Sequence, residues 1–185
     1  MKPVVRLVVI ALLSALLLVV QVALAMVPNV ELVSLLILIY TLLLPLPTVL
    51  GIVSIFVTLE FLVWGFGDWV IGYYWVWPIW VLLVYATRWF NKDDPHRWAL
   101  LGTFWGILFG ILFSIHHGIL YGMTYSYAYW IRGISFDIIH AISNYILILL
   151  SYRVIFDVLK KLLERLGVSY ESNHKNRGSR SNRCL

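Results

Sequence analysis

Charge is scarce in this 185-residue chain: Asp, Glu, Lys and Arg make up 12% of it, against 62% hydrophobic residues. Soluble domains carry about 25% charged and 45–50% apolar residues. A chain of this length has too little interior to hide such an excess from water, so its solvent is lipid. That excludes a cytosolic enzyme, a soluble nucleic-acid binder and a secreted disulfide scaffold, the last also because Cys184 is the only cysteine. Catalytic signatures are missing as well. There is no HExxH for an intramembrane metalloprotease, no GxSxG nucleophile elbow and no P-loop. No cofactor motif is present, and Asp137 with His140, a DxxH pair, is too small a ligand set for zinc.

What is present is a series of long uncharged runs. Residues 7–30 carry no formal charge, enough for one helix across a ~30 Å hydrocarbon core. Residues 32–59 are also uncharged but broken by Pro45 and Pro47, which reads as two helices and a tight turn. Gly65, Gly67 and Asp68 end the third helix. A fourth follows, with Pro78 expected to kink it. Residues 98–131 are too many for one span, and read as a fifth helix followed by an aromatic, Gly-bearing loop to Arg132. The predicted fold is an all-α integral membrane protein, a six-transmembrane-helix bundle with helices at about 4–26, 30–44, 48–64, 73–89, 98–117 and 134–156. Asp157 to Arg165 continues the sixth helix amphipathically.

The net charge of +5 reflects topology. With the N-terminus cytosolic, every Lys and Arg except Arg132 falls on the inner side. Both termini are then cytosolic, as an even number of spans requires. Residues 169–185, rich in Ser, Asn and Arg, read as a disordered basic tail, and no nucleic-acid partner is expected. Lys2, Arg6 and Ala23-Leu24-Ala25 imitate a secretory signal, but the apolar run exceeds the usual 7–15-residue signal core, so the first helix is expected to be retained.

Membrane helices associate through small residues. The first helix carries Ala11, Ser14 and Ala15; the fifth carries Gly102, Gly106 and Gly110. The glycines are expected to pack the bundle internally, while the Ala11–Ala15 stripe is equally suited to packing or to docking another membrane protein.

Ionisable groups inside a membrane are costly and mark functional candidates. Glu60 lies about 18 Å along the third helix, in the outer half. Asp68 is expected in an outer loop, and His116 and His117 at the outer end of the fifth helix. Asp137, His140 and Asn144 share one face of the sixth helix, Asp137 about one turn in. Aromatics gather on the same side, among them Trp64, Trp69, Tyr73, Tyr125 and Trp130. An interfacial belt explains part of this. An outward-facing aromatic pocket with a few polar groups explains the asymmetry. The candidate binding residues are therefore Glu60, Trp64, Asp68, Trp69, Tyr73, His116, Tyr125, Trp130, Arg132, Asp137, His140 and Asn144, with Arg132 a candidate ion-pair partner for Glu60 or Asp137.

Three segments carry a resemblance to a known family. They are Ala11-Leu-Leu-Ser14-Ala15; Pro28-Asn29-Val30-Glu31-Leu32-Val33-Ser34-Leu35-Leu36; and Gly133-Ile-Ser-Phe-Asp137-Ile-Ile-His140-Ala-Ile-Ser-Asn144. Over roughly residues 5–165 the chain resembles the substrate-binding S component of energy-coupling factor (ECF) vitamin ABC transporters. It departs from the family pattern at Ser135, where proline is expected, and at Ser143, where glycine is common. The resemblance implies high-affinity binding of a vitamin at the outer face of the plasma membrane. It implies a membrane T component as partner, met through Ala11 and Ala15, and two cytosolic ATPase subunits that supply the ATP hydrolysis this chain lacks. The S component then topples in the membrane to release its cargo inward. Stacking aromatics with carboxylates and His140 suit a nitrogen heterocycle; pyridoxine-type vitamers, thiamine precursors and cobalamin all remain open. The rival expectations are a small membrane-embedded enzyme using His116, Asp137 and His140, and an accessory membrane protein without a ligand.

Overall fold

The computed structural model describes residues 2–27 and 30–168; Pro28, Asn29 and the tail 169–185 lie outside the described residues. Six helices follow in order: α1 (Pro3–Leu24), α2 (Val33–Leu43), α3 (Leu46–Trp64), α4 (Asp68–Asn91), α5 (Pro95–Tyr121) and α6 (Met123–Arg165). No strand occurs among the described residues. Among the described residues four helices, α1, α3, α4 and α5, are long and apolar enough to cross a membrane.

Helix ends follow local chemistry. Pro47 sits in the first turn of α3 and Pro95 in that of α5, where a missing N–H costs nothing. The Asp94 side chain caps α5 by accepting from His96 N at 2.9 Å. α4 begins at Asp68, so that residue is a helix start rather than part of a loop ending near residue 73, and the helix runs on through Pro78. The aromatic loop expected up to Arg132 is not there: α5 runs to Tyr121 and α6 starts at Met123. Gly122 alone makes the turn, at φ +89, which strains any residue with a Cβ. The predicted sixth span and its amphipathic continuation both fall within one 43-residue helix, about 64 Å long.

α2 is the centre. Ten of its 11 residues are buried, all but Leu42, and it packs against α1, α3, α4 and α6. A helix apolar on every side belongs in the interior. Trp77, Trp80 and Trp105 fill the space beside it, with Trp80 and Trp105 stacked at 4.9 Å. The Trp80 indole donates to Ser34 O at 2.9 Å, so the ring buries its area without orphaning its N–H. On the outside, large apolar side chains such as Leu7, Leu62, Leu100 and Leu150 are exposed on four different helices, a surface suited to lipid and not to water.

The small-residue stripes divide by role. Ser14 is buried against α3, its hydroxyl 2.7 Å from Ile10 O and 3.0 Å from Ile52 O, whereas Ala11 and Ala15 are exposed. Gly102, Gly106 and Gly110 all face α6. A Cβ on Gly106 would lie 2.6 Å from Ala141 N, inside the van der Waals limit and against backbone that has nowhere to go. Gly106→Val is accordingly expected to cost about 1–3 kcal/mol or more through overpacking. Gly133→Ala, at a helical glycine with nothing within 4 Å of the added Cβ, is expected to stabilise by up to about 1 kcal/mol through helix propensity. Thermal unfolding of both variants in detergent checks the pair.

Candidate functional site

α5 and α6 touch at points that do not match in spacing. Gly110 lies against the Asp137 carboxylate. Ser114 and Ser126 are pinned to each other, each hydroxyl donating to the other's carbonyl at 2.9 Å. Between these points α5 advances from 110 to 114, about 6 Å, while α6 advances from 126 to 137, about 16 Å. Within that stretch α6 stays in touch with α5 through His117 on Tyr129 at 4.3 Å, and Ser126 also faces Gly118, so a gap opens only beside Phe109, Gly110 and Phe113. The gap is a cavity of about 450 Å³, within the range of small-molecule sites.

The α6 wall of the cavity is one helical face: Tyr125, Tyr129, Arg132, Phe136, Asp137 and His140 recur at spacings of three and four, with Gly133 between them. Trp130 closes one side. From α5 come Phe109, Gly110 and Phe113. Phe109 and Phe113 stack at 5.0 Å, and the His140 ring sits edge-on to Phe109 at 5.4 Å.

His140 is buried, and its Nε2 lies 3.0 Å from Glu31 Oε1, the residue just ahead of α2. Ser34 Oγ donates to the same oxygen at 2.8 Å. This pair ties the start of α2 to α6 and forms the back of the site. Behind it a smaller cavity of about 150 Å³ is bordered by Gln21, Glu31 and Tyr73, with Phe109 and His140 shared between the two spaces.

Of the sequence-predicted residues, Tyr125, Trp130, Arg132, Asp137 and His140 line the main cavity, and Tyr73 lines the smaller one. The others are placed elsewhere. Asn144 donates to Gly102 O at 3.2 Å and serves helix packing. Glu60 is buried in α3 away from both cavities, its Oε1 without a hydrogen bond among the described residues, with Trp64 one turn on as its neighbour. Neither Glu60 nor Asp137 forms an ion pair with Arg132 among the described residues; close charged or chargeable contacts there include Arg97–Asp94, His117–Asp68 and His140–Glu31.

Asp68 and His116 belong to an adjoining cluster at the junction of α4 and α5, which meets the cavity wall where His117 packs on Tyr129 at 4.3 Å. Tyr121 donates to Asp68 Oδ2 at 3.0 Å, and His117 Nδ1 lies 3.5 Å from it. Trp75 donates to His116 Nδ1 at 3.4 Å, which leaves the proton on Nε2 to reach Asp68 O at 3.0 Å. Trp69 stands beside this cluster, packed edge-on to Tyr73 at 5.3 Å. No three His, Cys, Asp or Glu side chains converge as metal ligands among the described residues.

The site residues that sequence reasoning missed are Glu31, Tyr129, Phe109 and Phe113. Tyr129 follows Tyr125 by four, and Phe113 follows Phe109 by four; that periodicity is visible once both segments are known to be helical. Glu31 carries no such signal, because its partner His140 is remote in sequence. Replacing His140 by Ala is expected to cost about 1–3 kcal/mol, the penalty for a buried acceptor that loses a partner. A double-mutant cycle of His140→Ala with Glu31→Ala is expected to show coupling of at least about 0.5 kcal/mol in thermal unfolding; additive losses would mean that the pair does not act as a unit. No family model, curated protein or solved structure matches this chain, so its functional reading rests on residues and geometry.

Proposed function

We propose that the chain is the substrate-binding S component of an ECF-type transporter in the plasma membrane, crossing it six times with both termini cytosolic. It binds a vitamin or related micronutrient at the outer face and delivers it with a T component and two ATPase subunits. The observation that carries the reading is the α5–α6 cavity: about 450 Å³, walled by aromatic rings and furnished with Arg132, Asp137 and His140. Tyr125, Tyr129, Trp130 and Arg132 of its lining come from the aromatic stretch that follows His117.

The volume narrows the cargo. One or two rings fit, in keeping with a pyridoxine-type vitamer or a thiamine precursor, whereas cobalamin is far too large to be enclosed. Exposed Ala11 and Ala15, with Ser14 turned inward to α3, leave a small flat strip on α1 on which another helix could lie closely. The enzyme reading draws less support. His116 is held by Asp68 and Trp75, outside the cavity that contains Asp137 and His140, so the three residues do not converge on one reacting atom.

The direct test is thermal stability of the detergent-solubilised protein against water-soluble vitamins and their precursors. A ligand that binds only the folded state at a thousand-fold excess over Kd adds about 4 kcal/mol, so one member of the panel is expected to raise the unfolding temperature clearly. No shift from any member, with folded protein, would overturn the reading. A second outcome concerns docking: Ala11→Trp or Ala15→Trp is expected to abolish uptake in cells while leaving ligand binding intact, and unimpaired uptake would refute that role for α1.

A further inference from the structure

The main cavity carries two formal charges, and they are not spent on each other. Asp137 and Arg132 both line it, yet no ion pair joins them and neither makes a hydrogen bond among the described residues. Their depths differ. Arg132 is exposed, Asp137 is half-buried and His140, further along the same helix, is buried. Measured along α6 the steps from Arg132 are about 7.5 Å to Asp137 and about 12 Å to His140.

The deep end is rich in acceptors. Asp137 offers a carboxylate pressed against α5 at Gly110, where the missing Cβ makes the room. His140 is backed by the Glu31 carboxylate. A half-buried carboxylate without a donor is unfavourable, and a ligand that brings a donor or a positive charge relieves it. Phe109, Phe113 and Tyr129 supply ring faces and edges that suit an electron-poor or cationic heterocycle. The mouth has the opposite character. Arg132 presents a planar guanidinium that forks onto carboxylate or phosphate oxygens.

We infer that this site selects a dipolar ligand and fixes its direction: a donor-bearing or cationic aromatic ring enters first and rests on Asp137, and an anionic group about one ring-length away stays at the mouth on Arg132. The inference rests on the cavity being the ligand site proposed above, and goes beyond it by naming the charge pattern of the ligand and the two residues that read it. Asp137 and Arg132 are the specificity-determining pair, and Gly110 is the positioning residue for Asp137.

The experiment measures affinity by thermal shift on the full-length protein in detergent, with probes sorted by charge. Thiamine monophosphate and pyridoxamine phosphate are dipolar, thiamine and pyridoxamine have the cationic end alone, and nicotinate has the anionic end alone. The strongest binder is expected to be dipolar, at least tenfold tighter than its counterpart without phosphate. Arg132→Gln, at an exposed position, is expected to erase that tenfold advantage. Asp137→Asn is expected to weaken both members of the pair by at least tenfold. A strongest binder with a single charge, or an unchanged phosphate advantage in Arg132→Gln, overturns the inference and leaves the uptake reading standing if other vitamins bind. No shift from these probes or from any vitamin overturns both.

Discussion

The molecule depends on how α5 and α6 are held together. Their seam needs Gly102, Gly106 and Gly110, because at Gly106 the backbones approach closely enough that even a methyl group would strike Ala141. Beyond the seam the reciprocal Ser114–Ser126 bonds pin the helices again. Between and beside the two attachments, residues of α6 from Tyr125 to His140 wall the cavity opposite Phe109, Gly110 and Phe113. Close packing and an open site are thus produced by the same pair of helices.

The remaining polar groups show how a bundle in an apolar solvent is specified. Apolar contacts alone discriminate poorly there, since lipid is as good a neighbour as leucine. Discrimination comes from a few directional bonds: Ser14 to the α3 backbone, Trp80 to Ser34 O, Asn144 to Gly102 O, and His140 to Glu31. The last two lie on one face of α6 and orient it, Asn144 toward α5 and His140 toward α2. That orientation turns Tyr125, Tyr129, Arg132 and Asp137 into the gap.

The solvent and the helical character were legible in the residues, because a long uncharged run has few alternatives once water is excluded. Most helix limits were close, since prolines and glycines punctuate the chain at Pro45, Gly65 and Pro95. The error lay in the stretch after His117. A run of Tyr and Trp looks like an interfacial loop, and Gly118, Gly122 and Gly133 look like breakers. Only Gly122 breaks the chain; Gly118 and Gly133 are carried inside helices. A glycine in a helix costs about 1 kcal/mol, less than tertiary contacts return. The site was half legible for the same reason. Asp137 and His140 share a helical face whatever precedes them, but Tyr129 joins that face only if the helix begins before residue 129.

The sequence by itself determined the medium, the helical class and which polar residues are anomalous, because composition and periodicity are local quantities that need no knowledge of neighbours. Tertiary structure decided which anomalies belong together. Asn144 and Asp137 have equal claims in the sequence, yet one is spent on Gly102 O and the other is left facing a cavity. Glu31 and His140 meet across 109 residues of chain. His116 and Asp137 do not line the same cavity. No periodicity reports on such distances, since they are set by how helices remote in sequence pack against one another.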